Sequence, residues 1–448
     1  MELKRRDFLK HAAAAAALGG MMPALFSAED PPGAGKDHKP RPNIVLIMAD
    51  DLGYEAIGAN GSISQPTPVL DGLAANGMRF RNGWSQPICT PSRVQIMTGQ
   101  YNVRNYTRFG HLDRGQVTFA HCLKRAGYAT AIAGKWQLGR EEDSMRHFGF
   151  DEWCTWHCFG SGGRYANPGR NLNGELKKFP GRFGDDVDCD FACDFIGRHK
   201  DRPFLLYWPM CLTHKPFVPT PDSADWGENR GGQGEATAER HFREMVTYMD
   251  KVVGKLVAHL ETLGLRERTL ILFTGDNGTE GIKSMIGGRM VGTGKGNITR
   301  SQAPLIASWP GTMPRGKVCD DVVDFSDFLP TLCAAAGAEA PQDRPIDGVS
   351  FLPQLRGEAG TPREWSYCWY SRDGGPTGKE LVRDRDYYWT GGKLVKVDLD
   401  FRGDGGPIGQ PDADQQRVLD KFKAVNARFA DARPPEFATA NRKKGGER

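Results

Sequence analysis

From Asn43 onward, short apolar runs alternate with stretches patterned for helices, and this restricts the chain to an α/β fold around a large, mostly parallel sheet flanked by helices. The clearest strands are Ile44 to Met48, Phe204 to Trp208, Leu270 to Phe273 and Leu305 to Ala307. One helix is equally legible: Met245, Met249, Val252, Leu256 and Leu260 recur at helical spacing, and Gly264 ends the pattern before the next strand. With 448 residues, 39% hydrophobic and 25% charged, the chain has material for one large core plus a smaller subdomain. We place the main domain at residues 43–344. A small C-terminal α+β subdomain is expected at 345–448, with aromatic-rich runs at Trp365 to Tyr370 and Tyr387 to Thr390, a helix around Gln415 to Phe429 and a frayed basic tail. Two stretches, Ser161 to Gly184 and Pro221 to Glu239, lack periodicity and read as surface loops. The first holds Arg164, Arg170, Lys177, Lys178 and Arg182, which form either a solvated face or a contact for an anionic substrate. No internal repeat is visible.

Residues 1–28 read as an export leader and 29–42 as a linker. Lys4-Arg5-Arg6-Asp7-Phe8-Leu9-Lys10 is a twin-arginine pattern ahead of an uncharged, alanine-rich stretch from Ala12 to Ala28. Gly19-Gly20, Pro23 and the short apolar length argue against a membrane anchor. The expected partner is the twin-arginine translocation machinery, cleavage falls near Ala28, and the mature chain is periplasmic or extracellular. The net charge of +4 includes a cluster at Lys4, Arg5, Arg6 and Lys10, so no footprint for nucleic acid remains.

The strand ending at Met48 runs into Asp50-Asp51-Leu52-Gly53, and the strand ending at Phe273 runs into Thr274-Gly275-Asp276-Asn277-Gly278. In open α/β sheets ligands collect at the carboxyl ends of strands, and adjacent carboxylates there are costly unless they meet a cation. Side by side, the two ends offer three carboxylates and an amide, an all-oxygen set suited to Ca²⁺ or Mg²⁺ rather than zinc. Each pair alone reads equally well as a turn or a helix cap. Between them lies Cys89-Thr90-Pro91-Ser92-Arg93. Thr90 as N-cap and Pro91 as first helical residue predict a helix through Val94 to Met97, with Cys89 just before its positive end and Arg93 within its first turn. A buried cysteine before a capped helix is the plainer alternative.

These residues resemble the formylglycine-dependent sulfatases of the alkaline phosphatase superfamily. Cys89, Pro91 and Arg93 meet the family's C-x-P-x-R signature, followed by its usual Thr98-Gly99 pair. The flanking motifs come in the family's order: Asp50-Asp51-Leu52-Gly53 before it, then Gly134-Lys135-Trp136, Thr213-His214-Lys215-Pro216-Phe217, Asp276-Asn277-Gly278 and Lys295-Gly296. The resemblance runs from about Asn43 to Gly311 and makes 43–344 the catalytic domain. It implies an alkaline-phosphatase-like fold and a maturase that oxidises Cys89 to formylglycine, whose hydrate supplies the nucleophile. It further implies that Asp50, Asp51, Asp276 and Asn277, with modified Cys89, hold one Ca²⁺. Lys135, His214 and Lys295 would grip the sulfate, Arg93 would steady the hydrate, His214 would protonate the leaving alcohol with Lys295 as the other candidate, and Asp276 would serve as base. The substrate implied is a sulfated small molecule or polysaccharide.

The sequence departs from the family at three places. Gln137 stands where G-K-W-H-L-G normally has histidine, and Gln cannot carry a proton, so His111 or His157 could substitute. Thr299-Arg300-Ser301-Gln302-Ala303-Pro304 replaces a common E-G-G-x-R-V-P ending near Lys295, and Gly275 replaces a common Ser. Of ten cysteines, withdrawing Cys89 leaves nine, so at least one is unpaired. Cys154 with Cys158 and Cys189 with Cys193 share a C-x3-C spacing, read as a disulfide or buried thiols before zinc ligation. Two other functions fit parts of the pattern: hydrolysis of phosphoesters or phosphonate esters on the same scaffold, and sulfated-glycan binding without catalysis.

Overall fold

The central sheet has ten strands, and its middle is made of fully buried ones. The structure is a computed structural model and describes residues 41–157, 160, 162–227, 235–397 and 406–439. The expected leader, the linker up to residue 40, Cys158 and the tail after residue 439 lie outside the described residues.

In chain order the sheet strands are β1 (Asn43–Ala49), β2 (Met78–Trp84), β3 (Ala129–Trp136), β4 (Glu152–His157), β5 (Gly169–Leu172), β6 (Glu175–Lys178), β7 (Phe204–Pro209) and β8 (Thr269–Gly275). After a separate hairpin of β9 (Ser284–Ile286) and β10 (Arg289–Val291) come β11 (Leu305–Ser308) and β12 (Lys317–Asp324). Their spatial order is β12-β2-β11-β8-β1-β7-β3-β4-β5-β6. Pairing is parallel from β8 through β1, β7 and β3 to β4, while β11 runs antiparallel to both its neighbours. All four strands read most clearly from sequence are present.

β1 shows why. Its side chains alternate between two cores: Ile44, Leu46 and Met48 join one, Val45, Ile47 and Ala49 the other. A strand covered on both faces is apolar at every position, which makes it stand out in the sequence. The helix Glu235–Thr262 covers the second face with Met245, Met249, Val252, Leu256 and Leu260, as its periodicity predicts. Helices Cys89–Thr98, Phe119–Arg125 and Phe328–Ala336 contribute to the first.

The supposed loop Ser161 to Gly184 contains β5 and β6, an antiparallel extension at the sheet edge. These strands are four residues each and mostly polar, so they carry no alternation to detect. Its basic residues also divide. Arg170 is fully buried in a bidentate pair with Asp188, through Nε at 2.6 Å and Nη2 at 2.9 Å. Lys177 pairs with Glu175, Arg182 with Asp190 and Lys178 is exposed, whereas Arg164 reaches the site described below.

A second sheet of β13 (Ser366–Tyr370), β14 (Lys379–Arg383), β15 (Tyr387–Thr390) and β16 (Lys393–Lys396) is an antiparallel meander. It packs with the helix Ala413–Ala427, whose N-cap Asp412 accepts from Asp414 N and Gln415 N. Tyr367, Trp369, Val382, Leu394 and Phe422 belong to the same core as Ile44, and Phe429 stacks on Tyr367 at 4.2 Å between ring centroids. All nine described cysteines are free thiols, seven of them buried and Cys193 and Cys319 partly buried. Among the described residues, no helix is long and apolar enough to cross a membrane.

Candidate active site

Strand register builds the first half of the site. Ala49 lies opposite Gly275 across the β1–β8 pair, so Asp50 and Asp276 leave the sheet together. Asp276 N donates to Ala49 O (2.9 Å), and Asp51 N donates to Asp276 Oδ1 (3.0 Å). On the other flank, Asp50 N donates to Leu212 O and Thr213 N to Asp50 O, both at 2.7 Å, which brings the His214 loop alongside. Asp51 turns the chain with φ of 57°, a left-handed conformation that Asp tolerates better than most residues. A Cβ on Gly275 would sit 2.0 Å from Leu52 O, so its departure from the family's Ser closes a space that no side chain shares here.

The helix Cys89–Thr98 is buried along its whole length. Its N-cap is Ile88 and Cys89 is the first helical residue, which corrects the expected Thr90 cap. Thr90 Oγ1 is turned to another task, accepting from Gly110 N at 3.2 Å. Gly99 ends the helix with φ of 69°, where glycine avoids the Cβ clash of left-handed backbone. Arg93, just past the first turn, points back: Nη2 donates to Asp276 Oδ2 at 2.8 Å and lies 3.5 Å from Asp50 Oδ1.

Every residue expected at the site converges there. Single ligand atoms of Asp50, Cys89 and Asp276 lie within 4.8 Å of one another, as do those of Asp50, Asp51 and His214. Lys135 Nζ, delivered by the end of β3, donates to Asp50 Oδ2 at 2.7 Å. Lys295 Nζ donates to Asp51 Oδ2 (2.8 Å) and Glu280 Oε2 (3.1 Å), and sits 3.1 Å from His214 Nε2. An ammonium and a guanidinium only donate, so neutral His214 accepts from one of its two cationic neighbours, Lys295 at Nε2 or Arg164 at Nδ1, and Nδ1 also lies 2.6 Å from Lys215 O. Gln137 is buried beyond Trp136 with Oε1 unpartnered. Of its possible substitutes, His111 lines a neighbouring cavity, and His157 closes β4 opposite Trp136.

Burial and neighbouring charge set the protonation pattern. Burial works to raise Asp50, but Lys135, His214 and Arg93 outweigh it and hold Asp50 below the usual carboxylate range. Burial, reinforced by Asp50, pushes Asp51 up to about 6 and Asp276 up to about 7. Burial pushes the Cys89 thiol up to about 11. His214 falls to about 4 through burial, with Lys135, Arg164 and Lys295 opposing its charged form.

The donor set fits a hard divalent cation. Asn277 Oδ1 is buried without a hydrogen-bond partner, an expensive state for a polar atom unless something positive meets it, and Asp50 Oδ1 has no hydrogen bond, only the Arg93 guanidinium at 3.5 Å. Asn277 Nδ2 donates to Asp51 Oδ1 (2.8 Å) and Gly278 O (2.9 Å), which fixes the side-chain amide beside the cluster. Oxygen-rich sets of this kind favour calcium or magnesium.

Sequence reading offered Arg164 only as one of five basic residues and did not name Asp185, Tyr165 or Glu280. Arg164 Nη1 lies 2.6 Å from His214 Nδ1 and donates to Lys215 O at 2.8 Å, with its guanidinium 4.4 Å over the Trp156 ring. Asp185 Oδ1 accepts from Cys211 N (3.2 Å) and Leu212 N (3.3 Å), and Tyr165 Oη lies 2.7 Å from Cys211 O, so both brace the loop that carries His214. Glu280, four residues past Asp276, had a local signal in T-G-D-N-G-T-E; Arg164 and Asp185 had none.

Comparison with known proteins agrees with this constellation. The family model described as Sulfatase matches residues 42–338. The chain is 31% identical over 417 residues to N-acetylgalactosamine-6-sulfatase of Canis lupus familiaris, covering 84% of this chain and 77% of that protein. It is 33% identical over 397 residues to arylsulfatase A of Homo sapiens, covering 77% and 74%. Among solved structures, Ps i-CgsB is similar with a TM-score of 0.73 at 24% identity, covering 88% of this chain and 94% of that one. A protein solved in complex with its substrate D-glucosamine-2-N,6-O-disulfate gives a TM-score of 0.68 at 21% identity, covering 91% and 100%. The chain belongs to the sulfatase family. It is a sulfuric ester hydrolase with the alkaline-phosphatase-like fold.

Proposed function

We propose that this enzyme is exported and hydrolyses sulfate esters of carbohydrates, using a formylglycine made from Cys89 beside a Ca²⁺ site. The observation that carries the reading is the meeting of Cys89 with Asp50 and Asp276 within 4.8 Å, next to the unpartnered buried oxygen of Asn277. The relatives named for N-acetylgalactosamine 6-sulfate and the structural neighbour bound to a glucosamine disulfate support the carbohydrate class. The twin-arginine pattern at Lys4 to Lys10 supports export through the twin-arginine machinery.

Burial pushes the Cys89 thiol up to about 11, and a thiol has no second hydroxyl through which a sulfated intermediate could collapse and release sulfate, which a formylglycine hydrate has. Formylglycine, made by a maturase, supplies as its hydrate one hydroxyl to attack sulfur and a second whose deprotonation lets sulfate leave by C–O cleavage. Asp50, Asp51, Asp276 and Asn277 would hold Ca²⁺, which lowers the charge barrier to approach of a sulfate anion. Arg93 fixes Asp276 through Nη2 and has a buried, unpartnered Nε left for the oxygens on residue 89. Lys135, Lys295 and His214 bind the sulfate oxygens. Lys295, kept charged by Asp51 despite burial, protonates the leaving oxygen, and neutral His214 lies 3.1 Å from it. Asp276 is the base.

The fold is shared with a phosphonate monoester hydrolase of Agrobacterium radiobacter, at a TM-score of 0.62 and 18% identity. The test is therefore a rate comparison on matched aryl sulfate, phosphate and phosphonate esters. A sulfate preference of at least about tenfold in kcat/KM is expected, corresponding to about 1.4 kcal/mol of transition-state discrimination. A preference for either phosphorus ester would overturn the assignment.

A further inference from the structure

The carboxyl of Glu55 is fully buried four residues past Asp51, and the chemistry proposed above gives it no part. We propose that Glu55 is a positioning residue for Lys295, acting through Thr293 and Thr279 to hold the Lys295 loop against the two strand-end turns. The proposal rests on the reading of Lys295 as the group that protonates the leaving oxygen, and it assigns what sets that lysine in place.

Lys295 needs such a device. It sits in Gly292-Thr293-Gly294-Lys295-Gly296, where Gly294 and Gly296 take φ of 75° and 84°. Backbone of this kind is permissive and does not fix the lysine by itself. Thr293 is the anchor: it is 2% exposed, while Gly292, Gly294 and Lys295 are partly exposed and Gly296 is exposed.

Thr293 is wedged between both turns. A Cβ on Gly53 would collide with Thr293 Oγ1 and come within 2.5 Å of Glu55 Oε2, so hydroxyl and carboxylate lie side by side against the turn that follows Asp51. A Cβ on Gly278 would lie 2.7 Å from the same hydroxyl and 2.9 Å from Gly294 N, which puts the loop against the turn that follows Asn277. Hydrogen bonds complete the frame. Gly53 N donates to Thr279 Oγ1 (3.0 Å), Thr279 N to Thr293 Oγ1 (3.3 Å), Lys295 N to Thr279 O (3.2 Å) and Gly296 N to Pro87 O (2.7 Å). The lysine is therefore referenced to the turns that carry Asp51 and Asn277 and to the segment that leads into Cys89.

Glu55 supplies the acceptor at the centre of this frame. Each threonine hydroxyl accepts from a backbone N–H, which leaves its own proton to donate. Neither Glu55 oxygen has a hydrogen bond of good geometry. Burial pushes the carboxyl up, opposed by its own N–H, by the hydroxyls of Thr279 and Thr293 and by the Thr293 N–H. A buried carboxyl is costly to leave unmatched, so these donors stay on it and the loop stays with them. Without Glu55 both hydroxyls would turn freely, and Lys295 Nζ would lose its register with Asp51 while the carboxylate ligands kept their strands.

The test is a leaving-group comparison, phenyl sulfate against p-nitrophenyl sulfate, on the full matured chain. Protonation of the leaving oxygen matters most for the poorer leaving group, so a displaced Lys295 costs more on phenyl sulfate. Glu55→Ala, and Thr293→Val, which deletes the hydroxyl at nearly constant shape, should each lower kcat/KM about tenfold more for phenyl sulfate than for p-nitrophenyl sulfate. Glu55→Gln, whose amide oxygen still accepts, should recover about threefold of that difference. In a Lys295→Ala background, Glu55→Ala should change either rate by no more than about twofold. An equal loss on both esters, or losses that multiply in the double variant, would reduce Glu55 to fold stability and overturn the proposal. Amide hydrogen exchange follows the clamp without turnover: Glu55→Ala should speed exchange at Lys295 and Gly296 about tenfold and leave the helix Cys89–Thr98 unchanged. Unchanged exchange in the loop would overturn the proposal too. If Lys295→Ala itself slows both esters equally, the lysine is not the acid, and the exchange comparison still decides whether Glu55 holds its loop.

Discussion

The two halves of the site are built on different principles. The strand-end half, with Asp50, Asp51, Cys89, Arg93, Asp276 and Asn277, is at most 2% exposed and fixed by parallel register and a buried helix. The outer half, with His214 and Lys295, sits on loops, each side chain 20% exposed and braced by Arg164, Asp185 and Glu280. Chemistry common to a family belongs on rigid elements, whereas choice of substrate belongs on loops that tolerate change.

Substitutions in the first half should therefore abolish turnover, and those in the second should grade it. Cys89→Ala should lower kcat by about a thousandfold or more with an unchanged circular dichroism spectrum, because it leaves a methyl group that cannot be oxidised to the aldehyde and removes little packing. Retained activity would break the comparison at its strongest point. Chelation should reduce turnover about a hundredfold, with Ca²⁺ restoring it better than Zn²⁺ in an oxygen-ligand site; a chelator-insensitive rate would contradict the assignment of the four ligands. Lys295→Ala should lower kcat/KM by about ten- to a hundredfold, near the loss of one transition-state donor, and shift Tm little because the residue lies at the rim. Gln137→His should change kcat/KM by no more than about threefold, in either direction, if the pocket is a conventional one. A large loss there would show Gln137 to be part of a reorganised site.

The same division explains what could be read from the sequence. β1, β7, β8 and β11 were legible because burial on both faces demands unbroken apolar runs. The Asp50-Asp51 and Asp276-Asn277 ends were legible because their strands were. Lys135, His214 and Lys295 came from resemblance rather than from pattern, since their meeting depends on β3, β7 and two loops distant in sequence. β5 and β6 left no trace because short polar edge strands need no alternation. The Thr90 cap failed because the hydroxyl is claimed by Gly110 N, a residue twenty positions away. Arg164 looked like one charge among five; stacking on Trp156 selects it, and that contact has no local signature.

The central claim is that residue 89 does not act as a cysteine. Peptide mass spectrometry of the chain produced with a formylglycine-generating maturase, with a control sulfatase processed alongside, tests it most directly. The account predicts a Cys89 peptide lighter by about 18 Da, the difference between thiol and aldehyde, in proportion to specific activity. An unmodified thiol in fully active enzyme would contradict it.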